Sequence, residues 1–145
     1  MHYLRTISSQ DDSWCSLIKD DPVRPEIPLD SRIGQHAEII VLVNEQDEPG
    51  AAVCVKYCSG IPSTVDEMLE DHGDLVAVFY TIWSYSPGAG GRLVLDAKRH
   101  IESRRTSISR FVTLSPKTAM AERFHVKNGA VVLSRNEKTV NYEYL

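Results

Sequence analysis

The sequence predicts an α/β domain: a mixed, mostly antiparallel central sheet of about six or seven strands, flanked by helices. Two Ile- and Val-rich runs, Glu38–Asn44 and Ala51–Tyr57, flank the Pro/Gly turn Glu45–Gly50, which reads as an antiparallel hairpin. Leu75–Ser84 (LVAVFYTIWS) is the most apolar stretch, and its β-branched and aromatic content suits a central strand. A glycine-rich turn and a helical stretch follow it directly.

The remaining elements are read in chain order. A short strand is expected at Tyr3–Ile7 and a short helix after Ser13, within a polar first 35 residues that carry Pro22, Pro25 and Pro28. Ser63 and Thr64 are placed to cap a short helix over Val65–Glu70, with Asp66 and Glu67 in its first turn. After Pro87-Gly88-Ala89-Gly90-Gly91 a helix runs to about Arg104, and Arg110–Leu114 forms a strand. Pro116–Asn128 reads as a helix stopped by Gly129, with Ser115 as its N-cap and Pro116 at its first position. Ala130–Ser134 and Thr139–Tyr144 close a terminal hairpin. This order resembles the GNAT acyltransferase architecture.

The chain has 145 residues, the size of one domain, and residues 1–145 are expected to form a single unit. Its 42% hydrophobic and 25% charged residues are enough for a packed core. A net charge of −4 argues against a nucleic-acid partner, which requires a basic face. No segment has the apolar length of a signal peptide or a membrane span, so a cytoplasmic protein without a membrane partner is expected. Cys15, Cys54 and Cys58 are too few for a disulfide framework. Cys54 and Cys58 would share one strand face but lie too far apart to bridge, and read as small buried hydrophobes. Five scattered histidines lack metal-ligand spacing, so no metal is expected.

Ser86-Pro87-Gly88-Ala89-Gly90-Gly91-Arg92, between a strand and a helix, has the makings of an anion cradle. Glycines admit close backbone approach, the first helical N–H groups lack internal partners, and Arg92 adds a cation. Gly88, Ala89, Gly90, Gly91 and Arg92 are therefore the candidate CoA-phosphate residues; the alternative is a plain strand-to-helix turn. GNAT proteins usually carry Gln or Arg three residues before the first glycine, where this chain has Tyr85.

The most specific signals are C-terminal. Phe111-Val112-Thr113-Leu114-Ser115-Pro116, then Phe124-His125-Val126-Lys127-Asn128-Gly129-Ala130-Val131-Val132-Leu133, then Asn141-Tyr142-Glu143-Tyr144-Leu145 follow one another. Together they resemble the catalytic, GNAT-like domain of the malonyl-CoA decarboxylases, which shows Phe-x-Thr/Ser-Leu-Ser-Pro, Phe-His-Leu-x-Asn-Gly-Ala-Val-Leu and Asn-Tyr-x-Tyr-Phe in that order. Asp47-Glu48-Pro49, Gly60-Ile61-Pro62-Ser63 and Ala77-Val78-Phe79-Tyr80-Thr81-Ile82 extend the resemblance over about Glu45–Leu145.

The resemblance implies decarboxylation of malonyl-CoA to acetyl-CoA and CO2, with no cofactor beyond the CoA of the substrate. It assigns Ser115 to the thioester oxygen and His125 to orienting the carboxylate or protonating the enolate. Thr81, Trp83, Asn128 and Tyr142 are the candidate substrate-binding residues. Read singly, Tyr142 and Tyr144 share a strand face and suit core packing. An acyltransferase acting from acyl-CoA on an amine or thiol is the alternative, and a non-catalytic CoA-binding module the third. His125 favours decarboxylation, because acetyltransferases often carry Tyr at that place, and the central strand offers no carboxylate to deprotonate an amine.

Two departures matter. The family's helical N-terminal domain has no counterpart in these residues, and its long insertion between the Ser and the His is missing. A straight helix over Pro116–Lys127 would hold Ser115 and His125 about 15 Å apart along its axis. The helix must start later, turn back, or leave one of the two residues out of the site.

Overall fold

A computed structural model describes residues 2–145. Eight strands, β1 (Tyr3–Ile7), β2 (Ala37–Val43), β3 (Pro49–Cys58), β4 (Val76–Ser84), β5 (Arg110–Thr113), β6 (Ser115–Pro116), β7 (Val131–Arg135) and β8 (Thr139–Tyr144), form one sheet. The helices are α1 (Leu29–Arg32), α2 (Val65–Glu70), α3 (Ala89–Arg104) and α4 (Ala119–Lys127), with a 3-10 helix at Ser13–Asp20. The expected elements are present, most with shifted ends, and β1, α2 and β8 match to the residue. Thr64 caps α2 by accepting the Glu67 N–H, as its position suggested.

The sheet runs β1-β2-β3-β4-β5-β8, with β6 following β5 along the same edge of β8 and β7 on the other edge. Only β4 and β5 are parallel, which requires the α3 crossover between them. The eighth strand is the short β6, which the sequence assigned to a helix start.

Alternation divides the core. Ile40, Leu42, Val53, Val55 and Phe79 face Leu93, Val94, Ala97 and Ile101 of α3. Ile39, Val41, Cys54, Val78 and Val112 face the opposite layer with Met68 and Ile27. The three cysteines are free and buried, as read from the sequence for Cys54 and Cys58.

Two irregularities shape the sheet centre. Cys54 opposes Thr81 while Val55 opposes Phe79, so Tyr80 is an extra residue, a bulge in β4. Pairing of β4 with β5 ends at Phe79 and Thr113, followed by one last bond from Leu114 N–H to Phe79 C=O. From there the chain follows β8 into β6, while Tyr80–Ser84 continues along β3. The two strands part and leave a cleft.

Gly73 closes the connection from α2 back to β4. A Cβ there would fall 2.7 Å from the Cys58 carbonyl carbon and also against the Ser59 nitrogen. Both are backbone atoms of the neighbouring strand end and do not rotate away. Gly73→Ala is expected to cost about 3 kcal/mol, read as a lower denaturant midpoint with an unchanged m-value.

Candidate active site

A cavity of about 220 Å³ fills the cleft where β4 and β5 part. One wall is Phe79–Ser84 of β4; the other is Ser115, Pro116 and Thr118 with Met120, Ala121, Phe124 and His125 of α4; Val23 completes the lining. Strand residues bond to β3 alternately, so every second peptide of Tyr80–Ser84 turns its N–H and C=O toward the cleft. Among the described residues, no Lys, Arg, Asp or Glu lines the cavity.

Ser115 and His125 meet in this one cavity. The helix-start reading of Ser115-Pro116 is corrected: Ser115 pairs with Val140 in β6, and Thr118 is the N-cap, accepting the Ala121 N–H at 3.2 Å. The chain reverses at Pro116–Thr118, where the Thr118 N–H bonds the Pro116 carbonyl at 2.9 Å. Starting at Ala119 rather than Pro116, α4 runs back along the cleft and brings His125, in its last turn, to the same wall as Ser115. Gly129, at φ 98°, terminates the helix in the left-handed region as expected.

His125 is buried. Its ring stacks on Tyr142 with centroids 5.0 Å apart and meets Phe124 edge-on. Burial among these rings lowers its pKa to about 4, so the resting side chain is a neutral imidazole. A proton-donor role for His125 then requires a negatively charged ligand beside it to raise this value. Nδ1 lies 2.7 Å from the Tyr144 hydroxyl. That hydroxyl has no other acceptor among the described residues, so it donates to Nδ1 and fixes the ring proton on Nε2. Tyr142 and Tyr144 thus do more than pack: one stacks on the imidazole and the other sets its tautomer.

Ser115 Oγ is 2.8 Å from Thr113 Oγ1, and Thr113 Oγ1 accepts the Tyr142 N–H at 3.1 Å. Asn141 donates to the carbonyls of Thr113 and Pro62, holding the end of β5 in place. No hydrogen bond joins Ser115 to His125 among the described residues; the hydroxyl's partner is Thr113 and the imidazole's is Tyr144.

The glycine loop packs beside the cavity, and none of Gly88, Ala89, Gly90, Gly91 and Arg92 is in its lining. Gly88 has φ 80° and opens α3, whose first turn carries no acidic residue. A Cβ on Gly90 would lie 2.6 Å from Ser84 Oγ and 3.3 Å from Phe124, both cavity residues. A Cβ on Gly91 would lie 2.5 Å from Asn128 Oδ1. These two glycines let the start of α3 close onto β4 and α4. Ala89 is buried, and Arg92 turns along its own helix to Asp96 and across to His2.

Thr81 and Trp83 line the cavity as expected, but the Thr81 hydroxyl donates away from it to Asp21 at 2.7 Å. Trp83 Nε1 donates to the Tyr85 hydroxyl, which donates to Asp20, and this chain gives Tyr85 a structural place. Asn128 and Tyr142 lie outside the lining: Asn128 bonds the Phe124 carbonyl, and Tyr142 backs His125.

The sequence reading missed Phe79, Phe124 and Tyr144 at the site, together with the buried support beneath Thr81. That support is Asp21, which takes hydrogen bonds from Thr81, the Val23 and Arg24 N–H groups, and the Arg32 guanidinium at 2.8 Å. The side chains of Asp21 and Arg32 are fully buried. Arg32 lies in a polar stretch, Leu29-Asp30-Ser31-Arg32, and nothing in its local sequence marks it as buried.

No group of three or more metal-ligating side chains occurs among the described residues, nor any helix long and apolar enough to cross a membrane. No known family profile matches the chain, and no curated protein matches it by sequence. By structure it is similar to the malonyl-CoA decarboxylase from Rhodopseudomonas palustris, with TM-score 0.78 and 18% identity over 99% of this chain and 59% of that one. The malonyl-CoA decarboxylase from Agrobacterium vitis gives TM-score 0.71 and 24% identity over 92% of this chain and 38% of that one. A putative GNAT-family acetyltransferase from Desulfovibrio desulfuricans gives 0.67 and 11%, over 99% of this chain and 98% of that one. The chain spans less than two thirds of the length of these decarboxylases. The fold is that of the GNAT proteins, as the order of elements predicted.

Proposed function

We propose that the chain binds an acyl-CoA thioester in the cleft between β4 and β5 and decarboxylates malonyl-CoA to acetyl-CoA and CO2. The observation that carries this reading is that Ser115 and His125, ten positions apart, line one cavity with apolar walls. The exposed edge of Tyr80–Ser84 offers amide groups to the amides of the pantetheine arm. The start of α3 beside the cavity, with Gly88, Ala89, Gly90, Gly91 and Arg92, is where the CoA phosphates would rest.

In the reaction the bond from the α-carbon to the carboxylate carbon breaks. Its electron pair becomes the thioester enolate, CO2 leaves, and the α-carbon takes up a proton. Ser115 would hydrogen-bond the thioester oxygen as negative charge grows there. With no cation in the lining, the carboxylate enters an apolar site next to a neutral imidazole. Its charge raises the pKa of His125, which takes up a proton and pairs with it. When CO2 departs the charge moves to the enolate, and the imidazolium delivers that proton to the α-carbon.

The test is incubation of the purified protein with malonyl-CoA alone, following acetyl-CoA by mass. Acetyl-CoA should form without any acceptor. Ser115→Ala and His125→Ala should each slow it by about a hundredfold while CoA binding stays within a few-fold. Full activity in both variants would remove the site assignment.

An acyltransferase is the second reading, favoured by the agreement over 98% of the acetyltransferase chain. Product that forms only when an amine or thiol is supplied would select it. CoA binding without any turnover would instead make the chain a binding module.

A further inference from the structure

Proton accounting beneath Ser115 leads beyond this assignment. Thr113 is fully buried at the last position where β5 pairs with β4. Its hydroxyl has two neighbours among the described residues: the Tyr142 N–H, which can only donate to it, and Ser115 Oγ at 2.8 Å. A buried hydroxyl proton requires an acceptor, and Ser115 Oγ is the one within reach. If Ser115 donated to Thr113, the Thr113 proton would be left without a partner. The bond therefore runs from Thr113 to Ser115, and the Ser115 proton is free to point into the cavity.

We infer that Thr113 is a positioning residue: it receives the Tyr142 N–H and donates to Ser115, holding the Ser115 hydroxyl as a hydrogen-bond donor aimed at an acyl oxygen in the cleft. The inference rests on the proposed reading and sharpens it, for it makes Ser115 an oxyanion donor rather than a nucleophile. Hydrogen bonds in series polarise one another, so the backbone N–H, Thr113 and Ser115 form a relay ending at the substrate. The ligand class follows: a thioester or another carbonyl able to carry negative charge on oxygen. The β5–β8 register sets the relay, since Phe111 and Val112 pair with Tyr144 and Glu143 and so bring the Tyr142 N–H onto Thr113.

The test compares Thr113→Val, which keeps the shape and removes the hydroxyl, with Thr113→Ser, which restores it. Thr113→Ser should hold kcat for malonyl-CoA within about threefold, and Thr113→Val should lower kcat by about tenfold or more with KM little changed. In a Ser115→Ala background Thr113→Val should have no further effect. Thr113→Val also removes the acceptor for the Tyr142 N–H, so circular dichroism checks its fold. Thr113→Cys, a weaker donor of similar size, replaces it if it does not fold, with an intermediate loss expected.

Wild-type kcat in Thr113→Val, or an equal loss in both backgrounds, would overturn the relay. If wild-type protein forms no acetyl-CoA, the decarboxylase reading fails, and the carbonyl stretch of bound carbonyl-labelled acetyl-CoA decides the relay by itself. A stretch lowered in wild type and Thr113→Ser but relaxed in Thr113→Val supports it. The same stretch in all three, or no binding of acetyl-CoA, overturns it.

Discussion

Lowering the pH from 7 to 5 is expected to cost the wild-type protein roughly 2 kcal/mol through His125 alone, and His125→Gln is expected to remove most of that loss. Burial among Phe124, Tyr142 and Tyr144 holds the folded-state pKa at about 4. An unfolded histidine titrates near 6.5. Between these values the unfolded chain binds a proton that the folded chain refuses, so stability rises with pH across that window. It is complete above about pH 6.5 and falls as pH drops toward 4, by about 3 kcal/mol in all. Denaturant midpoints at pH 7 and pH 5 for both proteins measure it. His100 is also shifted down, by burial and by Arg104, and accounts for the slope left in the variant. An unchanged slope in His125→Gln would show that the imidazole is not held neutral.

Arg32→Met is expected to cost about 3–5 kcal/mol, the penalty for leaving one partner of a buried ion pair alone. Arg32 donates to Asp21, to the Ile27 carbonyl and to the Arg24 carbonyl, and its side chain is wholly buried. Removing Asp21 as well, in Asp21→Leu with Arg32→Met, should recover part of the loss. Recovery stays partial because the Val23 and Arg24 N–H groups and the Thr81 hydroxyl then lack their acceptor. Thermal unfolding of the wild type, Arg32→Met and the double variant provides the comparison, and a double variant less stable than Arg32→Met would contradict it. Desolvation pushes the Asp21 pKa up, but hydrogen bonds from Thr81, the Arg24 N–H and Arg32 outweigh it, and the net shift is downward. A depressed carboxylate contributes stability above its unfolded pKa of about 3.9 and loses it as pH falls through the lower folded value. This loss lies below the window of His125. Since Thr81 is also a cavity wall, Arg32→Met should weaken acyl-CoA binding at temperatures where it still folds.

The central strands β2, β3 and β4 were legible because burial on both faces favours continuous apolar and β-branched residues. The helix ends were legible where a side chain makes the cap, as Thr64 does for α2. Ser115-Pro116 was misread because its local chemistry is that of a helix start, whereas β6 exists only through its partner Val140. No periodicity reveals a strand of two residues. The bulge at Tyr80 carries no glycine to mark it, so the divergence of β4 from β5 was also out of reach. Ser115 and His125 were found through a resemblance, not through spacing. Their meeting depends on where α4 begins, which one hydroxyl, that of Thr118, decides. The neutral state of His125 depends on rings from α4 and β8, and no local sequence feature encodes it.

β8 holds three other strands at once, yet only two residue pairs join it to β5. It also follows every other strand in the chain. During refolding, the β2–β3 hairpin pairs residues close in sequence and can form early, whereas β6 has no partner until β8, the last strand of the chain, docks. Ser115, Thr113 and His125 would therefore acquire their mutual arrangement only once β8 has docked. The same seam is the least extensive in the sheet, so slow amide exchange should be lost first along β5, β6 and β8, and catalytic competence should fade in mild denaturant before the β2–β3–β4 layer opens.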